Sequence, residues 1–285
     1  MTLRVTAAIP CYNGAPYIGA VIESLLQQTC PPDEVLVVDD GSIDGSAEIV
    51  SQYPVRLLRH KSNQGVAAAR NTAIEAATGD IILFVDADAV ADPDLLKILL
   101  EEYRDKDVGG VGGQGIEVNI RSLADQWRRR HATQSFGDKP KDVEFLFGLC
   151  MSFRIEVLRK LGGFRSVFRS NAEDIDMGLR LRKAGYRLRY LPDAKVYHQR
   201  TDNEASLKRT MAAWYQSAYK ARHLNEAYPW KLFAGTLRRL ITDPLSDLVE
   251  ERNLQMARLS WEIGWVKLRA LWMMDRVLRR GGLKE

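Results

Sequence analysis

Two aspartates that could bind a divalent cation follow a short apolar segment of the chain. Asp86 and Asp88, separated by Ala87, come directly after the run Ile81–Val85, which is typical of a strand buried on both faces. Alternation along an extended segment places the two carboxylates on the same side. Paired oxygen ligands suit Mg²⁺ or Mn²⁺ held against a diphosphate. The alternative is an acidic turn that only leads into the next helix.

The segments around this acidic pair alternate between strands and helices. Apolar runs predict strands at Val5–Pro10, Glu34–Val38, Val55–Arg59 and Ile81–Val85. Helical periodicity separates them, at residues 17–28, 46–52 and 65–77, so the pattern indicates βαβ units and a mainly parallel α/β sheet flanked by helices. The carboxyl ends of parallel strands meet at one edge, where open sheets bind nucleotides. That edge should collect Pro10–Asn13, Asp39–Ser42 and Asp86–Asp88.

Neither of the common glycine-rich phosphate loops follows the first predicted strand. The dinucleotide pattern GxGxxG does not occur there, and the P-loop pattern GxxxxGK[ST] is absent from the sequence. A nucleotide at this sheet edge therefore needs another source of positive charge for its phosphates, and a metal ion held by Asp86 and Asp88 would provide it.

Composition and charge divide the chain near residue 200. Residues 1–199 carry a net charge of −2, whereas residues 200–285 carry +6 and five of the six tryptophans. This shift predicts a nucleotide-binding domain at 1–199 and a basic, Trp-rich helical region at 200–285. Three scattered cysteines fit neither a disulfide framework nor a CxxC metal site. With no signal peptide and no run long enough to span a bilayer, we expect a cytoplasmic protein.

Ordered motifs through residues 3–199 resemble the inverting family 2 glycosyltransferases, which have the GT-A fold, a Rossmann-like sheet flanked by helices. The matching motifs are Ile9–Asn13, Val37–Ser42 with Asp44–Ser46, Asn63–Asn71, Thr78–Asp80, Asp86–Asp88, Phe147–Arg154, Gly162–Phe164, Glu173–Asp176, Ala184–Tyr186 and Tyr197–His198. A chance match of so many motifs in order is much rarer than a chance match of one. The resemblance implies transfer of a sugar from a nucleoside-diphosphate sugar, with uridine as the expected base, to an acceptor hydroxyl.

The resemblance places a nucleotide site at the strand ends. It puts Tyr12 and Asp40 at the base, where an aromatic ring can stack and a carboxylate can accept the imide N–H. Asp39 is assigned there too, although it could equally be a turn residue bonded to its own backbone. Arg70 is assigned to the donor as well, although from the residue alone it could be a solvated charge on a helix. The other residues that it assigns to the donor are Pro10, Asn13, Gly65, Asn71, Asp86, Ala87 and Gly148.

In this resemblance His198 completes a candidate metal site. It follows the strand segment 195–197 and joins Asp86 and Asp88 as a ligand, with Asp86 also available to the ribose. An imidazole suits Mn²⁺ better than Mg²⁺, so we expect Mn²⁺ or Mg²⁺ with a preference for Mn²⁺. The alternative is a structural or exposed histidine, and the other three histidines of the chain have no comparable context.

Asp174 is the candidate catalytic base. Inverting transfer needs a carboxylate that removes the proton of the acceptor hydroxyl while its oxygen attacks the anomeric carbon. The resemblance gives this role to Asp174 and the orientation of the acceptor to Glu173. Both acids open a predicted amphipathic helix, so the alternative is that they only complement the helix dipole.

One family motif is missing after the candidate base. Processive members carry Gln-x-x-Arg-Trp there to hold the growing polymer, and the nearest fragment, Gln199-Arg200, lacks the tryptophan. The sequence therefore predicts an enzyme that adds a single sugar.

The C-terminal region has helical periodicity at residues 203–224 and 245–278. One stripe is formed by Trp261, Trp265, Leu268 and Trp272, with basic residues on or beside it at Lys267, Arg269, Arg276, Arg279 and Arg280. A basic helix with tryptophans predicts peripheral contact with anionic lipid, at the inner face of the cell membrane, and a lipid-linked or surface-glycan acceptor. The alternative is that the stripe packs on the catalytic domain or on another subunit. A smaller basic cluster, Trp127–Arg130, would hold a phosphate or face solvent.

Other classes of function are less consistent with the sequence. A sugar-nucleotide nucleotidyltransferase needs a Gly- and Arg-rich loop after the first strand, which Asn13–Pro16 does not provide. A catalytically silent adaptor with the same fold would not need Asp88, Asp174 and His198. Nucleic acid is not an expected partner, because the basic charge is confined to an amphipathic tail without a recognised binding motif.

Overall fold

The computed structural model describes residues 3–279, which form two compact units. The first unit extends to Val118 and continues at Gln134–Gln199. The second comprises Asn119–Thr133 and the chain from Arg200 onward. A short segment before residue 200 therefore lies with the helical part of the chain.

The first unit is built on a mixed sheet. Its strands are β1 (Val5–Cys11), β2 (Glu34–Asp39), β3 (Arg56–Arg59), β4 (Ile81–Val85), β5 (Ala89–Ala91), β6 (Val108–Glu117), β7 (Lys141–Asp142), β8 (Cys150–Arg154) and β9 (Arg187–His198). Within residues 3–279 the order across the sheet is β3-β2-β1-β4-β8-β6-β9-β5, and β7 pairs with β9.

The first half of the sheet is parallel. β1 pairs with β2 and β4, and β2 pairs with β3, all in parallel register. The connecting helices are α1 (Ile18–Leu26), α2 (Ser46–Val50) and α3 (Val66–Ala76). The strands and helices predicted up to residue 85 are thus present within a few residues of their expected ends, and the carboxyl ends of β1, β2 and β4 share one edge.

The second half of the sheet mixes strand directions. β8 runs antiparallel between β4 and β6, and β5 runs antiparallel to β9, while β6 and β9 are parallel. Three further helices belong to this unit: α4 (Leu95–Glu101), α6 (Ile155–Lys160) and α7 (Glu173–Lys183). The predicted α/β sheet flanked by helices is confirmed. Each antiparallel pair includes a strand that comes after Asp86–Asp88, called the DxD segment below.

Both faces of the sheet are covered by apolar clusters. Successive residues of a strand point to opposite faces, and on β4 Leu83 joins one cluster while Phe84 joins the other. β4 is buried along its whole length. A strand covered on both faces cannot be displaced without opening both clusters, so the segment that follows it is firmly anchored.

The second unit is helical. It contains α5 (Leu123–His131), α8 (Glu204–Leu224), α9 (Trp230–Val249) and α10 (Leu254–Arg279). The sequence placed the start of the second C-terminal helix near residue 245, and this is wrong: α9 begins at Trp230 and a break at residues 250–253 separates it from α10. Gly235 and Pro244 lie inside α9, and both residues normally argue against a helix. None of the described helices is long and apolar enough to cross a membrane.

The sequence predicted that Lys267 lies on or beside the exposed tryptophan stripe, and this is wrong. Its side chain is buried on α10, with the ammonium 4.9 Å from the ring centre of Trp127 and 5.0 Å from that of Tyr215. Burial lowers the pKa of Lys267 to about 8, and the two aromatic faces offset part of the lost hydration. The rest of the stripe is exposed at Trp261, Trp265, Trp272, Arg269, Arg276 and Arg279, whereas Leu268 is half-buried; Arg280 lies outside the described residues.

The basic cluster at the end of α5 is used inside the second unit. The indole N–H of Trp127 donates to Ser260, and the side chain is fully buried. Arg128 is buried and paired with Asp202, and Arg130 forms ion pairs with Asp247, Glu250 and Glu251. Of the three arginines, Arg129 alone is fully exposed. The expectation of a cluster that holds phosphate or faces solvent is therefore wrong for Trp127, Arg128 and Arg130.

The buried pair Arg128–Asp202 gives a stability prediction. Arg128→Ala should destabilise the protein by about 1–3 kcal/mol, because it removes the partner of the buried Asp202 Oδ2, although Arg200 still pairs with Oδ1. The exposed neighbour Arg129→Ala is the matched control and should change stability by less than about 0.5 kcal/mol. Urea unfolding followed by circular dichroism measures both. Equal effects of the two substitutions would contradict the structural role of Arg128.

Candidate active site

The loops after β1 and β2 are tied together at the sheet edge. The backbone N–H of Asn13 donates to Ser42 Oγ at 2.9 Å, and Asn13 Oδ1 accepts from the N–H of Ile43 at 3.0 Å. Asn13 has a positive φ of 51°, which asparagine tolerates better than most residues. Pro10 is the second-last residue of β1 and lies opposite Val38 of β2. Tyr12 next to this turn is 51% exposed, so its ring is available to a ligand.

Asp39 and Asp40 are both buried and bonded within the chain. Asp39 Oδ1 accepts from the N–H of Ser42, and its Oδ2 lies 2.9 Å from Arg59 Nε. Asp40 accepts from the N–H groups of Gln64 and Gly65 and contacts His60. These contacts make Asp40 an anchor of the loop before α3, and its carboxylate faces the chain's own donors. The sequence had left His60 unassigned, and a lone histidine carries no signal of this contact.

Gly65 must be glycine in this loop. Its φ is +99°, and an added Cβ would lie 2.5 Å from the carbonyl oxygen of Arg169. Its N–H is the donor to Asp40 Oδ2 at 2.7 Å. These contacts give Gly65 a structural role in the loop that precedes α3, and its role at the donor stays a prediction.

Arg70 lies inside the first unit, where it joins two acidic motifs. Its guanidinium donates to Asp86 Oδ1 at 2.9 Å, pairs with Glu173 Oε1 and donates to the carbonyl of Gly148 at 3.0 Å. Phe84 and Phe164 lie under it, with ring centres 5.7 and 5.8 Å from Cζ. The side chain is 1% exposed. Arg70 is therefore not a solvated charge: it positions carboxylates that come from distant parts of the sequence.

Asn71 and Gly148 also have partners within the chain. Asn71 accepts from the N–H of Phe164 and donates to the same residue's carbonyl, so it fastens the turn after α6. An added Cβ on Gly148 would lie 3.1 Å from the guanidinium of Arg70. The sequence explained Gly148 by the approach of a donor sugar, and this stays a prediction; in the structure the residue also leaves room for Arg70.

Asp174 lies at the start of α7 with its carboxylate held by backbone donors. Oδ2 accepts from the N–H of Gly148 at 3.0 Å, and Oδ1 accepts from the N–H of Ile175 at 2.8 Å. Burial and the nearby Glu173 raise the pKa of Asp174 to about 7, although Arg70 opposes the shift. A carboxylate with a pKa near neutrality can accept a proton in the working pH range. The helix N-terminus alone would lower this pKa, so burial and Glu173 outweigh it, and the role of Asp174 as the base stays a prediction.

Glu173 is buried beside Asp174, and one of its carboxylate oxygens has no hydrogen-bond partner among the described residues. Oε1 pairs with Arg70, whereas Oε2 is buried without a hydrogen-bond partner among the described residues. Buried oxygens in this condition are uncommon and mark strain or a missing partner. A bound hydroxyl group is one partner that Oε2 could accept from.

The candidate metal ligands lie at the ends of β4 and β9. His198 Nε2 is 3.3 Å from Asp88 Oδ2, and its Nδ1 is 2.9 Å from Glu117 Oε1. A carboxylate on the second ring nitrogen is the usual support of a metal-binding histidine. Burial would lower the pKa of His198, but hydrogen bonds to Asp88 and Glu117 outweigh it and raise this pKa to about 9. The sequence missed Glu117.

Asp86 lies between Arg70 on one side and the pair of Asp88 and His198 on the other. Burial raises the pKa of Asp86 to about 6, against the effect of Arg70 and with a further contribution from Asp88, although the side chain is 34% exposed. Ala87 faces the loop after β1, where an added Cβ on Gly14 would approach it within 3.3 Å. The DxD segment thus contacts the β1 loop, Arg70 and His198.

The donor set fits a divalent cation that shares its coordination with a substrate. Carboxylate and imidazole groups are present, and the histidine has its supporting carboxylate. Among residues 3–279, however, no group of three or more acidic, histidine or cysteine side chains converges on one point. Such a site needs phosphate oxygens to complete it, which is the usual situation for Mg²⁺ and Mn²⁺ bound with nucleotides.

Residues 6–162 match the family model described as "Glycosyl transferase family 2". EpsE of Bacillus subtilis (strain 168) is 32% identical over 218 residues, which cover 73% of this chain and 76% of EpsE. The pre-mycofactocin glycosyltransferase of Mycobacterium tuberculosis is 29% identical over 248 residues, and this match spans about half of that protein (51%). The chain belongs to glycosyl transferase family 2 and is a glycosyltransferase.

Solved structures share the fold. The mannosyltransferase PcManGT of Pyrobaculum calidifontis, in complex with GDP-Man and Mn²⁺, superposes with a TM-score of 0.62 at 23% identity, covering 99% of this chain and 80% of PcManGT. Residues 1–349 of TarS from S. aureus, in complex with UDP-GlcNAc, superpose with a TM-score of 0.59 at 18% identity, covering 99% of this chain and 93% of the TarS chain. These likenesses confirm the GT-A-like fold.

The position of Arg70 gives a prediction that separates geometry from charge. Arg70→Lys keeps the positive charge but loses the fork that binds Asp86 and Glu173 together, so we expect kcat to fall by about 100-fold. The rate's pH midpoint should change little, because a cation still faces Asp174. Arg70→Met removes the charge as well and should shift that midpoint upward.

Steady-state transfer over a pH series measures both effects. Arg56→Lys, which alters an arginine–carboxylate pair at the edge of the sheet, is the control, and thermal unfolding shows whether each variant is folded. A folded Arg70→Lys variant with the wild-type rate would contradict the positioning role.

Proposed function

We propose that this glycosyltransferase is an inverting, metal-dependent enzyme that adds one sugar from a nucleoside-diphosphate sugar to an acceptor hydroxyl. The observation that supports this most directly is the contact chain from Asp86 through Arg70 to Glu173 and Gly148, which ends at Asp174. This chain of contacts links Asp86, in the segment suited to a metal-bound diphosphate, to Asp174, a carboxylate able to accept a proton.

In the proposed reaction Asp174 removes the proton of the acceptor hydroxyl as the oxygen attacks the anomeric carbon from the face opposite the leaving group. The amides of Gly148 and Ile175 fix the carboxylate in place. Glu173 Oε2, with no partner in the chain, would accept a hydrogen bond from the acceptor and orient it. Arg70 holds the other oxygen of this carboxylate, Oε1.

The donor side rests on the DxD segment and the β1 loop. Asp86, Asp88 and His198 would hold Mn²⁺, or Mg²⁺ less well, and a bound cation would supply positive charge against the departing nucleoside diphosphate. The ring of Tyr12, which is 51% exposed, would stack on the base. A uridine donor remains our proposal; the solved relatives hold both UDP-GlcNAc and GDP-Man. The lack of Gln-x-x-Arg-Trp supports a single addition.

For the acceptor we propose a lipid-linked or surface-glycan hydroxyl, reached from the inner face of the cell membrane. The support is that the C-terminal helices α9 and α10 expose apolar and aromatic side chains next to lysines and arginines, a combination typical of peripheral binding to anionic lipid. The silent adaptor and the nucleotidyltransferase are the alternatives that the next experiment excludes.

The purified protein should release nucleoside diphosphate from one donor in a panel of UDP-, GDP- and dTDP-sugars, and chelation should abolish this release. Asp88→Ala should lower the metal-dependent rate by about 100-fold, because it removes a proposed ligand. Asp94→Ala, which alters a carboxylate bonded to Thr29, should be near wild type. An absence of release, with no metal-dependent binding of any nucleoside diphosphate, would exclude the proposed enzyme.

The raised pKa of Asp174 gives a pH prediction. Only the ionised carboxylate is a base, so the transfer rate should rise with pH and reach half its maximum near pH 7. A carboxylate with an ordinary pKa would be fully active by about pH 5. Asp174→Asn should lower transfer by about 10²–10⁴-fold at every pH. A rate already constant above pH 5, or full activity of Asp174→Asn, would show that another group is the base.

A further inference from the structure

The outward face of α9 carries large apolar side chains that the sequence analysis did not single out. They are Trp230, Leu237, Ile241, Leu245 and Leu248, each between 41% and 67% exposed. Their spacings of seven, four, four and three residues place them on one side of the helix. Contiguous exposed apolar surface of this kind marks a binding surface more often than ordinary protein exterior.

The basic and the acidic side chains of α9 point in different directions. The basic residues Lys231 and Arg238 are exposed beside the apolar stripe. The two acidic residues of the helix turn inward: Asp247 is fully buried with Arg130 and Ser260, and Asp243 lies near His131. The exposed face of α9 therefore combines apolar and positively charged side chains and carries no carboxylate between residues 230 and 249.

The tryptophan stripe of α10 lacks this segregation. On α10 carboxylates share the exposed side with the cations: Arg258 pairs with Glu204 and lies near Glu262, and Arg279 pairs with Asp275. Arg276, by contrast, lies over the ring of Trp272. Trp261 and Trp265 also contact each other edge to face, with ring centres 6.1 Å apart. The positive charge on α10 is thus partly compensated within the unit, whereas that of Lys231 and Arg238 lies next to bare apolar surface.

We propose that the outward face of α9 is the surface that rests on an anionic bilayer. An apolar stripe bordered by basic residues matches both parts of such a surface, since the apolar side chains enter the acyl boundary and the cations meet the lipid phosphates. α9 lies on the bilayer and does not cross it, in accord with its hydropathy. This inference deepens the proposed membrane-side acceptor and rests on it for its role, but it can be tested without any sugar transfer.

The test is sedimentation of the full chain with vesicles of neutral phosphatidylcholine or of phosphatidylcholine and phosphatidylglycerol in equal parts. Wild type should bind the anionic vesicles and lose binding at high salt. Leu237→Gln/Ile241→Gln/Leu245→Gln should weaken that binding by about tenfold or more. The matched variant Trp261→Gln/Trp265→Gln/Trp272→Gln, which alters the α10 stripe, should weaken it by less than about threefold.

Two further variants define how charge contributes. Lys231→Glu/Arg238→Glu should reduce binding to anionic vesicles about tenfold with much less effect on neutral ones, because it reverses the charge beside the stripe. Asp174→Asn should bind vesicles like wild type, so a failure of the proposed catalysis leaves this measurement unaffected. Circular dichroism checks that the glutamine and glutamate variants remain helical.

Several outcomes would overturn the proposal. Wild type that binds neither vesicle, or an α9 variant that binds like wild type, would show that this face does not contact lipid. Loss in the α10 variant with retention in the α9 variant would move the contact to the tryptophan stripe. A wild-type dimer in vesicle-free solution that the α9 variant converts to a monomer would make this face a subunit interface instead.

Discussion

The buried guanidinium of Arg70 is the interaction on which the active site depends. Removing a cation from water is very costly unless carboxylates and hydrogen-bond acceptors surround it, and Arg70 has Asp86, Glu173 and the carbonyl of Gly148. These partners come from three separate segments of the chain. Because the guanidinium is planar and its donors are fixed, it sets the relative positions of the DxD segment and the start of α7 more tightly than a point charge would.

The same arrangement accounts for the electrostatic character of the site. Among residues 3–279, the carboxylates of Asp86, Asp88, Glu117, Glu173 and Asp174 lie close to two cationic side chains, those of Arg70 and His198. The excess of negative charge, together with burial, raises the pKa of both Asp86 and Asp174. A diphosphate would add further negative charge to this group. The cation that we propose between Asp88 and His198 would offset this negative charge.

The sequence predicted the parallel half of the sheet well because β1, β2 and β4 contain apolar runs that lead into small, polar or acidic residues, and helical segments separate the strands. It also predicted which strand ends meet, since parallel strands leave little choice. It did not predict the interior role of Arg70, although the helical period places Arg70 between Ala67 and Ile74 on the buried face of α3. Side-chain partners such as His60 and Glu117 depend on contacts between distant segments, and no local pattern reports them. α9 was misjudged because Gly235 and Pro244 lowered its local helix propensity, whereas packing against α10 decides its structure.

The second unit shows that the net charge of a region does not determine the charge of its surface. Residues 200–285 carry +6, yet Lys267 is buried, and Arg200, Lys208 and Arg279 are ion-paired with carboxylates of the same unit. Much of the basic character read from composition is therefore compensated internally. On α9 the opposite happens, because Asp243 and Asp247 turn toward His131 and Arg130 and leave the outward face without acids. The direction in which carboxylates point, more than the number of lysines and arginines, gives a helix a positive face.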